Sequence, residues 1–310
     1  MNEPSGHESQ ASSEPIDVPK VVGDDQVRFY VENGYLVVPD LIEADELEEL
    51  KRDTVRIALG DYPCEALKPL PAGTTQDEAL RSILCIHMPH YVSPLMLKYV
   101  QHPKICGVLS QIVGAHLPWW DGSVKCMQSM LFVKPPGFQG QAWHQDEIYI
   151  PTRDRTLCGA WIAMDDATIE NGCLWVVPGS HRQGYLYAMR GHENPDEFDS
   201  GEKSWGFDES VEVPVEVKAG GLVFFNGYLL HRSQKNRSSR YRRVLVNHYM
   251  NAWSFLPWHF EEGLGMARQD DRCIVPVSGT DPYAWKGYKQ TPQNVYLRQC
   301  KANEEREGDG

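Results

Sequence analysis

The chain has 310 residues, 41% hydrophobic and 24% charged, with a formal net charge of −13. These are the proportions of a soluble globular protein with room for one large domain or two small ones. The acidic excess excludes the clustered basic face that nucleic acid requires, and no apolar run reaches the length of a membrane span.

Residues 1–20 are polar and rich in Ser, Glu and Pro, and 1–22 read as a disordered leader. They hold no apolar run of the kind a secretory signal carries. The eight cysteines include no Cys-x-x-Cys pair, and Cys85, Cys106, Cys158 and Cys173 lie in apolar runs. Reduced core thiols in a cytoplasmic compartment are therefore expected. A helical support is expected over 23–115. Asp24 and Asp25 offer an N-cap to a short amphipathic helix from Gln26 to Asn33, stopped by Gly34. Tyr35 to Pro39 reads as a short strand. Glu43 or Asp45 opens a helix to about Leu59, with Leu47, Leu50, Val55 and Ala58 on one stripe. A Pro- and Gly-rich loop and the apolar run Leu80 to His90 follow. Two more helices are expected, Pro94 to Gln101 and Pro103 to Val113.

The pattern then changes to short strands over 123–250. Ser123 to Lys134 puts Val124, Cys126, Gln128, Met130 and Phe132 on one parity, and Pro135-Pro-Gly turns the chain. Further strands are expected at Trp143 to Tyr149, Leu157 to Met164, Cys173 to Val177, Val211 to Val217, Leu222 to Phe225, Leu229 to Ser233 and Tyr241 to Met250. Turn signals between so many short strands predict a sandwich or jelly roll. The polar, Gly-rich insert over 184–207 is a candidate lid or surface loop. A C-terminal helical and loop extension is expected over 253–300, with helix over 253–271, and a frayed charged tail over 301–310.

Within Gln141 to Ile150 stands a His-x-Asp pair, His144 and Asp146. On an extended segment both side chains reach one face. That is two thirds of the 2-His-1-carboxylate facial triad that holds non-haem Fe(II) and leaves places open for other ligands. Such a pair alone is weak evidence. His231, on a strand far along the chain, supplies a third ligand candidate, though a lone histidine there is more often a core residue. The basic run after it reads as a solvated hairpin tip for Arg237 and Arg240. Arg242 differs, because it begins an apolar strand with Val244 and Val246 on its own side. A guanidinium carried inward requires an anionic partner, and a carboxylate fits its planar fork. A dicarboxylic keto acid bound at an iron site would provide one.

The segments Trp143-His144-Gln-Asp146, Asn171-Gly-Cys-Leu, Pro178-Gly-Ser-His181 and His231-x-Ser233-x-x-Asn236-x-Ser238-x-x-x-Arg242 resemble the phytanoyl-CoA dioxygenase family of Fe(II)/2-oxoglutarate-dependent oxygenases. The resemblance runs from about Phe29 to Trp258 and implies one oxygenase domain over 23–300. Its core would be a double-stranded β-helix, a cupin-like jelly roll flanked by helices. It implies a dioxygenase that hydroxylates a C–H bond of a small molecule and releases succinate and CO2, with Fe(II), 2-oxoglutarate and O2 taking part. The family's metal ligands fall on His144, Asp146 and His231, its carboxylate-binding arginine on Arg242 and the assisting serine on Ser233. Met130, Gln128 and Trp161 fall where the family lines its co-substrate. No counterpart of an upstream co-substrate-binding lysine is evident; Leu80 to His90 should occupy that region, where His87 or His90 could contribute or simply pack. Arg153 and Arg155 lie where a substrate loop is expected and are candidates for meeting an anionic group. The chain is expected to act as a monomer or homodimer, without nucleic acid or membrane. The rival functions are a zinc hydrolase on the same ligands and a non-catalytic jelly-roll binding protein.

Overall fold

The computed structural model describes residues 14–64, 67, 70–254, 274–286, 288 and 295–299. Helix α1 (Asp24–Asn33) begins two residues earlier than Gln26, because Gly23 rather than an aspartate is its cap. Asp24 and Asp25 lie in its first turn instead, where the helix dipole favours acids. Gly34, at φ 80°, closes the helix and hands the chain to strand β1 (Tyr35–Val38). Helix α2 (Ala44–Leu59) is fixed at its start by Glu46, whose carboxylate accepts from the Glu43 amide at 3.0 Å. It buries Leu47, Leu50, Thr54, Ile57 and Ala58, while Val55 is only half-buried. Helix α3 (Gln76–Arg81), strand β2 (Ile83–His87) and helices α4 (Pro94–Val100) and α5 (Pro103–Ile112) follow. Each of the last two opens on a proline, whose missing amide costs nothing in a first turn.

The remaining strands are β3 (Val124–Lys134), β4 (Cys158–Ala163), β5 (Leu174–Val176), β6 (Met189–Gly191), β7 (Glu202–Ser204), β8 (Val213–Val215), β9 (Leu222–Asn226), β10 (His231–Ser233), β11 (Arg242–Asn251), β12 (Val275–Ser278) and β13 (Tyr296–Gln299). An antiparallel sheet runs β1-β9-β4-β11-β3-β2-β13, with β12 also on β3, and faces a smaller sheet, β10-β5-β8. Alternation along β4 explains the layering. Trp161 and Ala163 point to the small sheet and pack with Leu174, Val176, Val215 and Leu229. Ala160 and Ile162 point the other way, to Leu50, Ile57, Ile105 and Leu109 of the helices. The result is a mostly β jelly roll with helices covering the outer face of its large sheet. The site lies between the sheets.

Four expectations need correction. Residues 14–22 are packed, not a loose leader: Ile16 bridges Gly279, Val22 is buried, and the Gln111 amide oxygen accepts from the backbone of Val21 (2.7 Å) and Val22 (3.0 Å). Gly107 makes this possible, since a Cβ there would stand 2.3 Å from the Pro19 carbonyl. Trp143 to Tyr149 is not a strand; one bridge at His144 gives way to a single 3-10 turn, Asp146–Ile148. The insert is not wholly loop, because β6 and β7 form a small hairpin within it. Strands β2, β12 and β13 were not legible as strands. The expected helix over 253–271, the tail, residues 1–13 of the leader, Cys273 and Cys300 lie largely or wholly outside the described residues. The other six cysteines are free thiols. Among the described residues no helix is long and apolar enough to cross a membrane.

Candidate active site

His144 and His231 stand directly opposite each other. The His144 amide donates to the His231 carbonyl at 3.0 Å, the return bond is 3.1 Å, and the rings are 4.1 Å apart. Each ring has its Nδ1 against the carbonyl two residues earlier: Ala142 for His144 (2.8 Å) and Leu229 for His231 (3.0 Å). A carbonyl only accepts, so the proton sits on Nδ1 and the Nε2 lone pair is left facing the site. Asp146 Oδ1 lies 3.5 Å from His144 Nε2 and 3.7 Å from His231 Nε2. One ligand atom from each of the three residues lies within 4.8 Å of the others, and all three are buried.

The 3-10 turn delivers Asp146 by a route that alternation does not describe. Gln145 fixes it from the outside: its amide nitrogen donates to the carbonyls of Tyr228 (2.8 Å) and Tyr185 (3.2 Å), and its oxygen accepts from the Tyr187 amide (2.7 Å). Burial opposes ionisation of Asp146, but the surrounding imidazoles of His231, His144 and His248 outweigh it and hold the carboxyl well below its ordinary range. Burial pushes His231 down to about 4, which leaves a neutral imidazole able to coordinate.

A cavity of about 500 Å³ extends from this cluster. Gln128, Met130, Trp161, Ser233 and Arg242 all line it. Arg242 is buried, its guanidinium lies over the Trp161 ring at 5.3 Å from the centroid, and its Nε has no hydrogen-bond partner among the described residues. Burial lowers it to about 10, so it stays charged at neutral pH. Directly opposite it on the β3–β11 ladder is Lys134. Lys134 Nζ donates to Ser233 Oγ (3.3 Å) and to the Gln234 carbonyl. Burial, then the Arg242 charge, pushes this lysine well below the ordinary range. Two buried cationic groups facing each other repel, and an anion between them would reverse the sign of the interaction.

The Asn236 side chain builds the turn that brings Arg242 in. Its amide donates to the carbonyls of Lys134 (3.0 Å) and Arg240 (2.7 Å), and its oxygen accepts from the Ser238 amide (3.0 Å). Arg243 points away and forms a two-pronged pair with Asp165 at 2.8 and 2.7 Å. Other segments of the sequence pattern are structural. Ser180 Oγ accepts from the Leu230 amide (2.9 Å), and the His181 ring bonds the Val31 carbonyl (3.0 Å), docking helix α1. His87 lines the cavity; His90 does not, and instead pairs with Ser129 in the core. Arg153 and Arg155 are exposed and do not line the cavity. Sequence reasoning missed two residues, Lys134 and His248. Both carried a usable signal: Lys134 shares the parity of Gln128 and Met130 on its strand, and His248 that of Arg242.

A family model described as phytanoyl-CoA dioxygenase (PhyH) matches residues 30–244. The chain belongs to the phytanoyl-CoA dioxygenase family. It is 27% identical over 260 residues to a phytanoyl-CoA dioxygenase of Arabidopsis thaliana, covering 74% of this chain and 88% of that one. It is 30% identical over 281 residues to the phytanoyl-CoA dioxygenase domain-containing protein 1 of Bos taurus, covering 75% and 93%. Among solved structures, EvdO2 from Micromonospora carbonacea var. aurantiaca, complexed with 2-oxoglutarate, shares the fold at TM-score 0.56 and 21% identity, covering 79% of this chain and 97% of its own. The family match takes in all the cavity residues of β3, β4 and β10; the family boundary falls two residues past Arg242 and leaves His248 outside.

Proposed function

We propose that this family member is an Fe(II)- and 2-oxoglutarate-dependent dioxygenase that hydroxylates a C–H bond of a small molecule. The observation that carries the reading is the pairing of two features in one cavity: three converging ligand atoms, and a buried cationic end where Arg242 Nε has no partner among the described residues. The donor set fits ferrous iron, because two imidazoles and one carboxylate are its facial triad. His144, Asp146 and His231 would hold the metal. Ferrous iron supplies the oxygen-activating chemistry, coupled to decarboxylation of 2-oxoglutarate to succinate and CO2. Arg242 and Lys134 would grip the far carboxylate of the keto acid, with Ser233 Oγ beside them. Trp161, Phe132, Leu174 and Val246 add apolar surface to the cavity lining, which would lower the local dielectric and strengthen each charged contact. Leu84, Gln128, Tyr149 and Ile150 line the same cavity and would border the substrate.

Zinc would accept the same three ligands, but a hydrolytic centre has no use for buried cations in its cavity. Full ligand sets also argue against a purely binding scaffold. The deciding experiment adds Fe(II) and 2-oxoglutarate to the protein without oxygen, where a weak visible charge-transfer band is expected, and then scores succinate against a substrate panel in air. No band and no oxygen-dependent succinate would defeat the reading. One of the exposed loop arginines, Arg153 or Arg155, is proposed to meet an anionic substrate group as it approaches from outside the cavity. Arg153→Ala or Arg155→Ala should then raise the substrate KM without changing kcat; unchanged KM in both variants removes them from the site.

A further inference from the structure

His248 is buried, borders the cavity, and is absent from the ligand set. It sits on β11 between Gln128 of β3 and Gly159 of β4, on the same face as Arg242 and Val246. Immediately after it the β3–β11 register shifts, the extra residue being Met127 of β3. Its Nε2 lies 3.0 Å from Asp146 Oδ2, whereas Asp146 Oδ1 is the oxygen nearest His144 and His231. The two carboxylate oxygens therefore have separate environments. A carboxylate only accepts, so the hydrogen between them belongs to His248 Nε2. The other ring nitrogen, Nδ1, is buried with no partner among the described residues, so the single hydrogen bond to Asp146 fixes both tautomer and ring plane.

We propose that His248 is a positioning residue that keeps Asp146 a one-oxygen ligand: Nε2–H holds Oδ2 away, and Oδ1 alone faces the metal. This rests on the metal-centre reading above and deepens it. Its consequence follows from coordination geometry. Two imidazoles and one oxygen occupy one face of an octahedral ion and leave the opposite face free. A second Asp146 oxygen would take one of the free places, where a chelating keto acid and oxygen must both fit. Partners that orient a ligand in this way are commonly worth tenfold to a hundredfold in metal affinity or activity.

The test uses the full chain, freed of metal, with Co(II) as probe. Co(II) affinity by chelator competition and the visible Co(II) spectrum are measured for wild type, Asp146→Ala, His248→Phe and His248→Gln. His248→Phe should weaken Co(II) binding about tenfold to a hundredfold and change the band shape. His248→Gln, whose amide N–H can still reach Oδ2, should recover binding to within a few fold of wild type. A His248→Phe protein that binds Co(II) within twofold of wild type with an unaltered spectrum overturns the proposal. If His248→Phe does not fold, His248→Gln decides alone: a loss as large as that of Asp146→Ala overturns it, and near-wild-type binding supports it. A wild-type protein that binds no Co(II) instead defeats the metal-centre reading itself, which Asp146→Ala equal to wild type would also do.

Discussion

Arg242→Met separates a functional guanidinium from a structural one, because the two roles predict opposite signs. The substitution keeps length and apolar volume while removing the charge. Arg242 is buried, with Nε unpaired among the described residues and a lysine directly opposite on the ladder. For the ligand-free protein this is a cost. Cross-strand neighbours of like charge at about 7 Å and an effective dielectric of about 20 repel by roughly 2 kcal/mol. Part of that is already relieved, because Lys134 is pushed toward its neutral form. Removing the guanidinium should therefore leave the ligand-free protein as stable as wild type or more stable, by up to about 2 kcal/mol, which is about 3 °C in Tm for a domain of this size. For 2-oxoglutarate the sign reverses. Losing one partner of a buried charged pair costs about 2–5 kcal/mol, or about thirtyfold to several thousandfold in Kd. The assays are thermal unfolding of the ligand-free protein and oxygen-free titration of 2-oxoglutarate into the Fe(II)-loaded protein. A variant that binds 2-oxoglutarate within threefold of wild type refutes the reasoning. So does one whose ligand-free form melts well below wild type, since that would make Arg242 a structural strut.

Two further outcomes follow from the same end of the cavity. Lys134 has its pKa depressed by burial and by Arg242, so it loses its proton as pH rises through that lowered value. 2-Oxoglutarate affinity should fall over this window, while Arg242, at about 10, still carries charge. The folded chain there binds fewer protons than the unfolded one, so stability of the ligand-free protein should rise with pH over the same window; Lys134→Met should flatten both slopes. Gly172 has φ +82°, and a Cβ there would stand 2.3 Å from the Gln234 carbonyl and 2.6 Å from Lys134 Nζ. Gly172→Ala should cost about 2 kcal/mol or more in unfolding free energy and weaken 2-oxoglutarate binding. Gly137, at φ +87° with nothing within 4 Å of its built Cβ among the described residues, is the control: Gly137→Ala should cost about 1 kcal/mol and leave binding alone, and equal effects at the two sites would exclude the clash.

What alternation governs was legible in the sequence. Period two along β11 put Arg242, Val244 and Val246 on one face, and the same rule along β3 grouped Gln128, Met130 and Phe132; all but Val244 line the cavity. What long-range packing governs was not. Residues 14–22 carry Ile16, Val18, Val21 and Val22, but nothing local in that stretch says that Gln111 and the gap over Gly107 await it. Asp146 reaches the site through a 3-10 turn held by Gln145 from outside, and no periodicity encodes that.

Lys134 is the most informative miss. Its parity was visible, but a lysine just before Pro135-Pro136 reads as the exposed end of a strand, and the cost of burying an ammonium argues for that reading. The fold buries it all the same, opposite a second cation. Its ammonium bonds Ser233 Oγ and the Gln234 carbonyl, yet burial and the facing guanidinium outweigh what favours the charged form, and an apolar residue would relieve the repulsion. A local choice that opposes the fold's own stability is expected where function requires it. The proposed function gives that requirement a form: an anion with a carboxylate at the cationic end of the cavity and a second group that would reach the three ligands at the other.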